Sequence, residues 1–310
     1  MLIITGSIAY DYIMDFPGLF SDHILADKVH NINLSFIVNK FARRRGGTAG
    51  NASYNLGLLD TQHILFSSVG RDFSEYKKTL KKLGINTKYL LTDKNNYTAT
   101  GFAVTDKTDN QIWGYFYGAA DRIPELQLKN VANTGDLVLI GPSGAKGSMS
   151  FVKQCVTLGL SYMFDPGFIL TQINNEDLLV GVKNASYIVG NDYEINLIQS
   201  RVKNFSGLVK DKIIITTFGK KGAAIEEHGK KISIAPVIVK DVTDPTGAGD
   251  AWRAGFLAGI TRNYDLQTCG QMGSVTASYA ISYYGTQEHK FTKQQFTKRY
   301  KDAYNKQIEL

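Results

Sequence analysis

The sequence predicts an α/β fold: a doubly wound, mostly parallel sheet with helices on both faces, plus a small β lid. Two observations carry that prediction. Short, almost uninterrupted apolar runs, as strands buried on both faces require, alternate with amphipathic helical stretches along most of the chain. Two segments with period-two patterning break this rhythm and supply the lid.

In chain order, Leu2–Thr5 and residues 63–69, 136–140, 161–164, 187–189 and 212–217 read as buried strands. Helical periodicity fills residues 48–59, 73–83, 147–158 and 248–261, and two further helices, 271–284 and 292–306, would close one face of the sheet. Residues 31–38 alternate apolar and polar, and 98–104 with 111–117 form a hairpin pattern around 106–110. An antiparallel lid is therefore expected from strands within 12–43 and 96–120. No repeat, low-complexity stretch or Pro/Ser-rich linker interrupts the chain, so residues 1–310 read as a single domain. In such a sheet the ligand site is expected beyond the C-terminal ends of the strands.

Composition narrows the partners. The 310 residues are 43% hydrophobic and 20% charged, which is ample for a sizeable core. The net charge of +7 is dispersed, its densest clusters being Arg43-Arg44-Arg45, Lys77-Lys78 and Lys220-Lys221, which favours small anionic ligands over nucleic acid. Cys155 and Cys269 are far apart, and the five histidines (His23, His30, His63, His228 and His289) show no metal spacing. With no basic leader and no segment of membrane-spanning length, the expectation is a soluble, cytoplasmic protein without a membrane partner.

The stretch Asp244-Pro245-Thr246-Gly247-Ala248-Gly249-Asp250 places small residues immediately before a helical pattern. Such a helix start exposes the backbone N–H groups of Gly247, Ala248 and Gly249 to an anion, assisted by the helix dipole. Asp250 in the first turn would set a carboxylate beside that anion, where it could take a proton from an attacking hydroxyl. There is no GxxxxGK[ST] sequence, which excludes a P-loop kinase of the usual kind.

Extended through Ala251-Trp252-Arg253-Ala254-Gly255, this stretch resembles the C-terminal signature of the PfkB (ribokinase-like) carbohydrate and nucleoside kinases. Gly46-Gly47-Thr48-Ala49-Gly50-Asn51 is similar to the same family's first signature. The resemblance implies a ribokinase-like fold and a kinase that moves the terminal phosphate of ATP, with magnesium and in some relatives potassium. It implies that Asp250 is the catalytic base, that Gly247, Ala248 and Gly249 form an anion hole, and that Asp11, Gly46, Gly47 and Asn51 hold the sugar. Val69-Gly70-Arg71-Asp72 resembles a further family segment with a supporting role. Asn191-Asp192-Tyr193-Glu194 resembles the family's Asn-x-x-Glu motif, which makes Glu194 a magnesium group acting through water; by spacing alone it is a helix capping box. Thr217-Phe218-Gly219-Lys220-Lys221-Gly222 looks like the family's phosphate-contacting turn, adding Asn191, Thr217, Gly219 and Gly222 to the ATP site.

Narrower segments, Asn110-Gln111-Ile112 with Gly118-Ala119 and Tyr284-Gly285-Thr286-Gln287, look like a bacterial branch labelled adenosine kinase. That resemblance implies phosphorylation of the 5′-hydroxyl of adenosine. The alternatives are ribose or another sugar as acceptor, and a non-catalytic nucleoside or ATP sensor. Among the lid aromatics Phe102, Trp113, Tyr115, Phe116 and Tyr117, the candidates for a purine-stacking surface are Trp113 and Phe116. Aromatics alternating on a hairpin equally suit strand packing or a homodimer face on the lid. Arg43, Arg44, Arg45 and Arg122 flank the lid and are candidates for phosphate contacts.

Overall fold

Alternate residues of the first strand, β1 (Leu2–Thr5), enter different cores: Leu2 and Ile4 pack on one side of a sheet and Ile3 on the other. That parity organises the computed structural model, which describes residues 1–24, 33–108 and 110–310. The chain continues through β2 (Ala9–Asp15), β3 (Lys40–Gly46), α1 (Thr48–Leu58), β4 (His63–Leu65), β5 (Ser68–Gly70) and α2 (Ser74–Lys82). Next come β6 (Leu91–Asp93), β7 (Ala99–Thr105), β8 (Gln111–Phe116), β9 (Leu137–Ile140), α3 (Gly144–Leu158), β10 (Ser161–Phe164) and α4 (Asn175–Asn184). After β11 (Tyr187–Asn191) follow α5 (Asp192–Arg201), α6 (Phe205–Leu208), β12 (Ile213–Thr217), β13 (Ala223–Glu227) and β14 (Lys230–Ile234). Helices α7 (Ala248–Thr261), α8 (Leu266–Ala280) and α9 (Lys293–Tyr304) end the fold.

The main sheet runs β14-β13-β12-β11-β10-β9-β1-β4. From β4 to β12 every neighbouring pair is parallel, and β13 and β14 add an antiparallel hairpin at the edge. Residues of α1, α2, α7, α8 and α9 fill one core and residues of α3, α4, α5 and α6 the other. This is the doubly wound architecture that the apolar runs predict. Because β1 lies between β4 and β9, the chain order reverses there, and a crevice opens at the C-terminal ends of these strands.

A second sheet, β3-β2-β7-β8, stands over that crevice. It is mixed rather than antiparallel, since β2 pairs parallel with β7. Its hairpin, β7 and β8, falls where the sequence places one, but β2 and β3 differ from expectation. Residues 33–38 form no strand, and 31 and 32 lie outside the described residues. The strand starts at Lys40 and carries the three consecutive arginines, a pattern with no apolar alternation to reveal it. The expected strand over 63–69 is split. The Ser67 hydroxyl donates to the Gly6 carbonyl at 2.6 Å, and residues 68–70 turn away to pair with β6. Cys155 and Cys269 are buried on opposite sides of the main sheet as free thiols. Among the described residues no helix is long and apolar enough to cross a membrane.

Helix α7 is pressed against α8 through glycines. A Cβ on Gly255 would lie 2.5 Å from the Met272 carbonyl oxygen, and one on Gly259 would lie 2.9 Å from the Cys269 Cα. Gly255→Ala should therefore cost about 1–3 kcal/mol of stability by overpacking. Gly114→Ala, on the lid where nothing lies within 4 Å of the added Cβ, should change stability by less than about 0.5 kcal/mol. Urea midpoints of the two variants, compared with the parent, check this.

Candidate active site

The N-terminus of α7 is built by its preceding turn. Asp244 accepts the Thr246 N–H on Oδ1 at 2.9 Å and the Gly285 N–H on Oδ2 at 3.0 Å, which ties the turn to the segment after α8. Gly247 has φ 76°, and a Cβ there would also meet Thr286 at 2.8 Å, so glycine is required twice over. The Ala248 N–H donates back to the Pro245 carbonyl at 3.2 Å. The amides left without a partner among the described residues are those of Gly247, Gly249 and Asp250. This corrects the expected trio by replacing Ala248 with Asp250, whose own N–H sits in the unpaired first turn of the helix.

Asp250 is held by Asn51, whose Nδ2 donates to its Oδ2 at 2.8 Å. Asn51 is 4% exposed, and its Oδ1 accepts from the Thr286 hydroxyl at 2.7 Å and from Gln287 Nε2 at 2.9 Å. Gln287 also donates to the Tyr76 hydroxyl, which donates to the Gly46 carbonyl at 2.9 Å. The Asn51 oxygen is thus flanked by two partners, with the single Thr286 hydroxyl proton shared between it and the Arg45 carbonyl at 2.9 Å, and one N–H remains for a substrate. The expectation that Asn51 both donates to and accepts from sugar hydroxyls is corrected accordingly. Its acceptor is spent on orienting the amide. Thr286, Gln287 and Tyr76 carry no recognisable spacing signal as site residues, although Thr286 and Gln287 lie in one of the narrower segments quoted above.

Asp11 sits on β2 between two glycines of neighbouring strands. A Cβ on Gly46 would come 2.2 Å from its Oδ2, and one on Gly101 would come 2.8 Å from its Oδ1. The glycines therefore clear space for the carboxylate, which accepts no hydrogen bond from the described residues. Gly47, φ 83°, caps α1 against the backbone of residues 7–9 and brings α1 up to the crevice. Burial pushes the Asp11 carboxyl up to about 6, and the charge of Asp250 adds to the effect. Burial also raises Asp250, opposed by Arg253 and by the Asn51 hydrogen bond.

Arg253, three residues past Asp250 and 7% exposed, pairs with buried Asp165 just after β10. Its Nη2 donates to Asp165 Oδ1 at 2.9 Å, and its Nε lies 2.5 Å from Oδ2. Burial pushes Asp165 up while Arg253 opposes it, and the charges of Glu194 and Asp250 also act on it. Four charged groups from three segments, Asp165 after β10, Glu194 on α5 and both Asp250 and Arg253 on α7, thus act on one another, and neither Asp165 nor Arg253 is singled out by the sequence reading. Glu194 itself completes a capping box on α5: Asn191 accepts the Glu194 N–H, and Glu194 Oε2 accepts the Asn191 N–H, each at 2.8 Å. Oε1 accepts nothing from the described residues, so the capping role and a free acidic oxygen coexist.

Thr217, Gly219 and Gly222 line a cavity of about 560 Å³ that reaches Ala248, Gly249 and Trp252. Its walls are largely apolar, including Val237, Ile238, Val242 and Ile281. The wall from Pro236 to Val242 has no regular structure, so no periodicity announces it. Gly222, φ 91°, lies against the Ile234 carbonyl, at 2.1 Å from an added Cβ.

The lid aromatics divide by strand parity. Trp113 and Tyr115 share the face of Asp11, through the pairs Asp11–Gly101 and Gly101–Tyr115. Trp113 stacks on Tyr115 with ring centroids 5.5 Å apart, and Tyr115 stacks at 5.8 Å on Phe168, which follows β10. Phe116 points the other way, sharing its face with Thr100 and Tyr10, so the expectation that Phe116 lines the crevice is corrected. The opposite face carries Phe41, Phe102, Ile112 and Phe116, all exposed, with Tyr12 stacked on Phe102 at 5.3 Å.

A doubly wound sheet, a lid over its switch point, and a carboxylate at the open end of a glycine-started helix together define the ribokinase-like α/β class. The chain belongs to the pfkB family of carbohydrate kinases, whose family model matches residues 8–293. It is similar to the nucleoside kinase of Methanocaldococcus jannaschii, with 32% identity over 91% of each chain. A solved structure of Burkholderia thailandensis nucleoside kinase in complex with inosine matches with TM-score 0.89 and 31% identity, covering 100% of both chains. Ribokinase from Thermotoga maritima, at 19% identity and TM-score 0.80 over 97% of this chain and 99% of its own, shares the fold.

In the folded protein the Asp11 carboxyl ionises near pH 6 instead of its ordinary 3.8. The native state therefore holds the extra proton between those values, and stability falls as pH rises through that window. Asp11→Asn should stabilise the protein by about 1–3 kcal/mol at pH 8 and by only about 0.5 kcal/mol at pH 4. Urea unfolding at the two pH values would show the effect; an equal gain at both would mean that the carboxylate charge is not its cause.

Proposed function

We propose that this protein is a nucleoside kinase that transfers the γ-phosphoryl group of ATP to the 5′-hydroxyl of a nucleoside. The observation that carries the proposal is the placement of Asp250. Its carboxylate is fixed by Asn51 beside unpaired helix amides, with the electrostatically coupled Asp11 nearby and the 560 Å³ cavity adjoining. The nucleoside acceptor is supported by the two archaeal relatives named nucleoside kinase, at 32% and 31% identity over more than 90% of this chain. The inosine-bound structure of the Burkholderia thailandensis enzyme and its ADP-inosine complex support both the acceptor and a nucleotide donor.

In this reading Asp11 accepts hydrogen bonds from the ribose hydroxyls, and the remaining Asn51 N–H donates to one of them. Asp250 takes the 5′-hydroxyl proton as that oxygen attacks the γ-phosphorus. Its raised pKa moves it towards the range in which a general base works well. The amides of Gly247, Gly249 and Asp250 stabilise charge on the phosphoryl oxygens. The donor's base lies in the apolar cavity, with its phosphates between the Thr217–Gly222 turn and α7. Glu194 Oε1 is the oxygen donor that would hold magnesium through water, and the ion would neutralise charge on the donor phosphates. Trp113, Tyr115 and Phe168 offer stacking surfaces to a purine, and adenosine is the acceptor first expected. The outward lid face of Phe41, Phe102, Ile112 and Phe116 is proposed to pair with a second copy of the chain.

The test is a Mg-ATP assay, with and without potassium, over adenosine, inosine, other nucleosides, ribose, fructose and fructose 6-phosphate, recording ADP and phosphorylated product. A nucleoside should be the best acceptor. A sugar in first place would overturn the acceptor assignment, and no turnover at all would favour a sensor. Asp250→Asn should lower kcat by about 10²- to 10⁴-fold with nucleoside affinity retained. For the lid, Phe41→Glu should shift the mass seen by light scattering from dimer to monomer; an unchanged mass would rule that face out.

A further inference from the structure

We infer that Arg253 is a catalytic residue whose free arm, Nη1, donates to the phosphoryl group during its transfer; this rests on the kinase reading above. Arg253 lies one turn past Gly249 on α7, and long helical side chains lean back towards the N-terminus of their helix. The lean brings Nη1 to 2.7 Å from where a Cβ of Gly249 would stand, so glycine at that position admits the guanidinium to the open end of the helix. From the covalent geometry of the residue, Nη1 and the open amide nitrogen of Gly249 are then at most about 5 Å apart. Two donors at that spacing can hold one phosphoryl group between them, each at ordinary hydrogen-bond length.

The rest of the fork explains why Nη1 is available. Nη2 donates to Asp165 Oδ1 at 2.9 Å and Nε lies 2.5 Å from Oδ2, a side-on pair that fixes the plane of the guanidinium. Both partners are buried, at 3% and 7% exposure, and Nη1 donates to no described residue. A buried pair made for stability alone gains nothing from an arm without a partner, because a desolvated N–H left unmatched costs free energy. The guanidinium also acts on the groups that the reaction uses. It opposes the rise of the Asp250 carboxyl, and the charges of Asp250 and Glu194 favour its own ionised form. Gly249 lines the 560 Å³ cavity, so Nη1 stands beside the residue that joins that cavity to Asp250.

During transfer the bond from the β,γ-bridging oxygen to the γ-phosphorus breaks, a bond from the nucleoside 5′-oxygen to that phosphorus forms, the proton passes to Asp250, and ADP leaves. Nη1 would contact the γ-phosphoryl oxygens throughout, so Arg253 should matter to a bound triphosphate far more than to a diphosphate or an unphosphorylated nucleoside.

The experiment compares the parent with Arg253→Gln, Arg253→Lys and the double variant Arg253→Gln/Asp165→Asn, in which the buried pair is neutral. Affinities for AMP-PNP, ADP, adenosine and inosine are measured by calorimetry, with thermal midpoints and steady-state kinetics alongside. Arg253→Gln should lower kcat about a hundredfold or more, weaken AMP-PNP at least about tenfold relative to ADP and leave the nucleosides unchanged. The double variant should recover the thermal midpoint without recovering kcat. Arg253→Lys, which keeps the charge but has a single ammonium for both tasks, should fall between parent and Arg253→Gln. Recovery of kcat along with the midpoint in the double variant would overturn the inference and leave the pair a structural one. Unchanged kcat in Arg253→Gln, or equal losses of AMP-PNP and ADP, would overturn it as well. A parent that binds AMP-PNP yet phosphorylates no nucleoside would overturn the acceptor reading instead, and Arg253 would then stand or fall on AMP-PNP against ADP. If Arg253→Gln is poorly folded, the double variant decides in the same way.

Discussion

One buried amide side chain holds the crevice together. Asn51 on α1 receives Thr286 and Gln287 on its oxygen and gives one N–H to Asp250 on α7. Gln287 passes the connection through Tyr76 on α2 to the carbonyl of Gly46, the residue against which the Asp11 carboxylate rests. A chain of satisfied, buried hydrogen bonds is stiff, because each member loses a full partner if the next moves. The carboxylate on the helix and the carboxylate on the lid are therefore referenced to each other through one network, and turning the Asn51 amide over would unseat both ends.

The site is expensive in electrostatic terms. Asp11, Asp165 and Asp250 are all driven upward by burial, and among the described residues Arg253 is the cation that opposes this for Asp165 and Asp250. A structure selected for stability alone would not leave Asp11 between two glycines with no hydrogen bond from the described residues. A site that waits for ribose hydroxyls must leave its acceptors open, so the cost is carried by the packed layers elsewhere, notably the close α7–α8 contact.

Much of this was legible beforehand. The parallel strands were visible because strands buried on both faces are apolar throughout, and the glycine-started helix because its small residues are contiguous. The lid strands β2 and β3 were not visible: Ala9–Asp15 has mixed character and Lys40–Gly46 is strongly basic, so both become strands only by pairing with each other and with β7. The division of Trp113 and Tyr115 from Phe116 needed the register of β7 with β8, since a shift of one residue exchanges the faces. The substitution of Asp250 for Ala248 among the open amides needed the turn geometry, because the Pro245 carbonyl claims one N–H.

By itself, the sequence determined the layered α/β class, the helix that starts at Gly247, the acidic side chain in its first turn and the kinase family to which these belong. All of these are written in contiguous residues, where spacing dictates local geometry. Only the tertiary structure decided which groups meet Asp250 and which lid aromatics face the crevice. Asn51 and Asp250 are 199 residues apart, and Asn51 and Thr286 are 235 apart. Contacts at that separation follow from how the layers close over one another, and no local pattern in the chain records them.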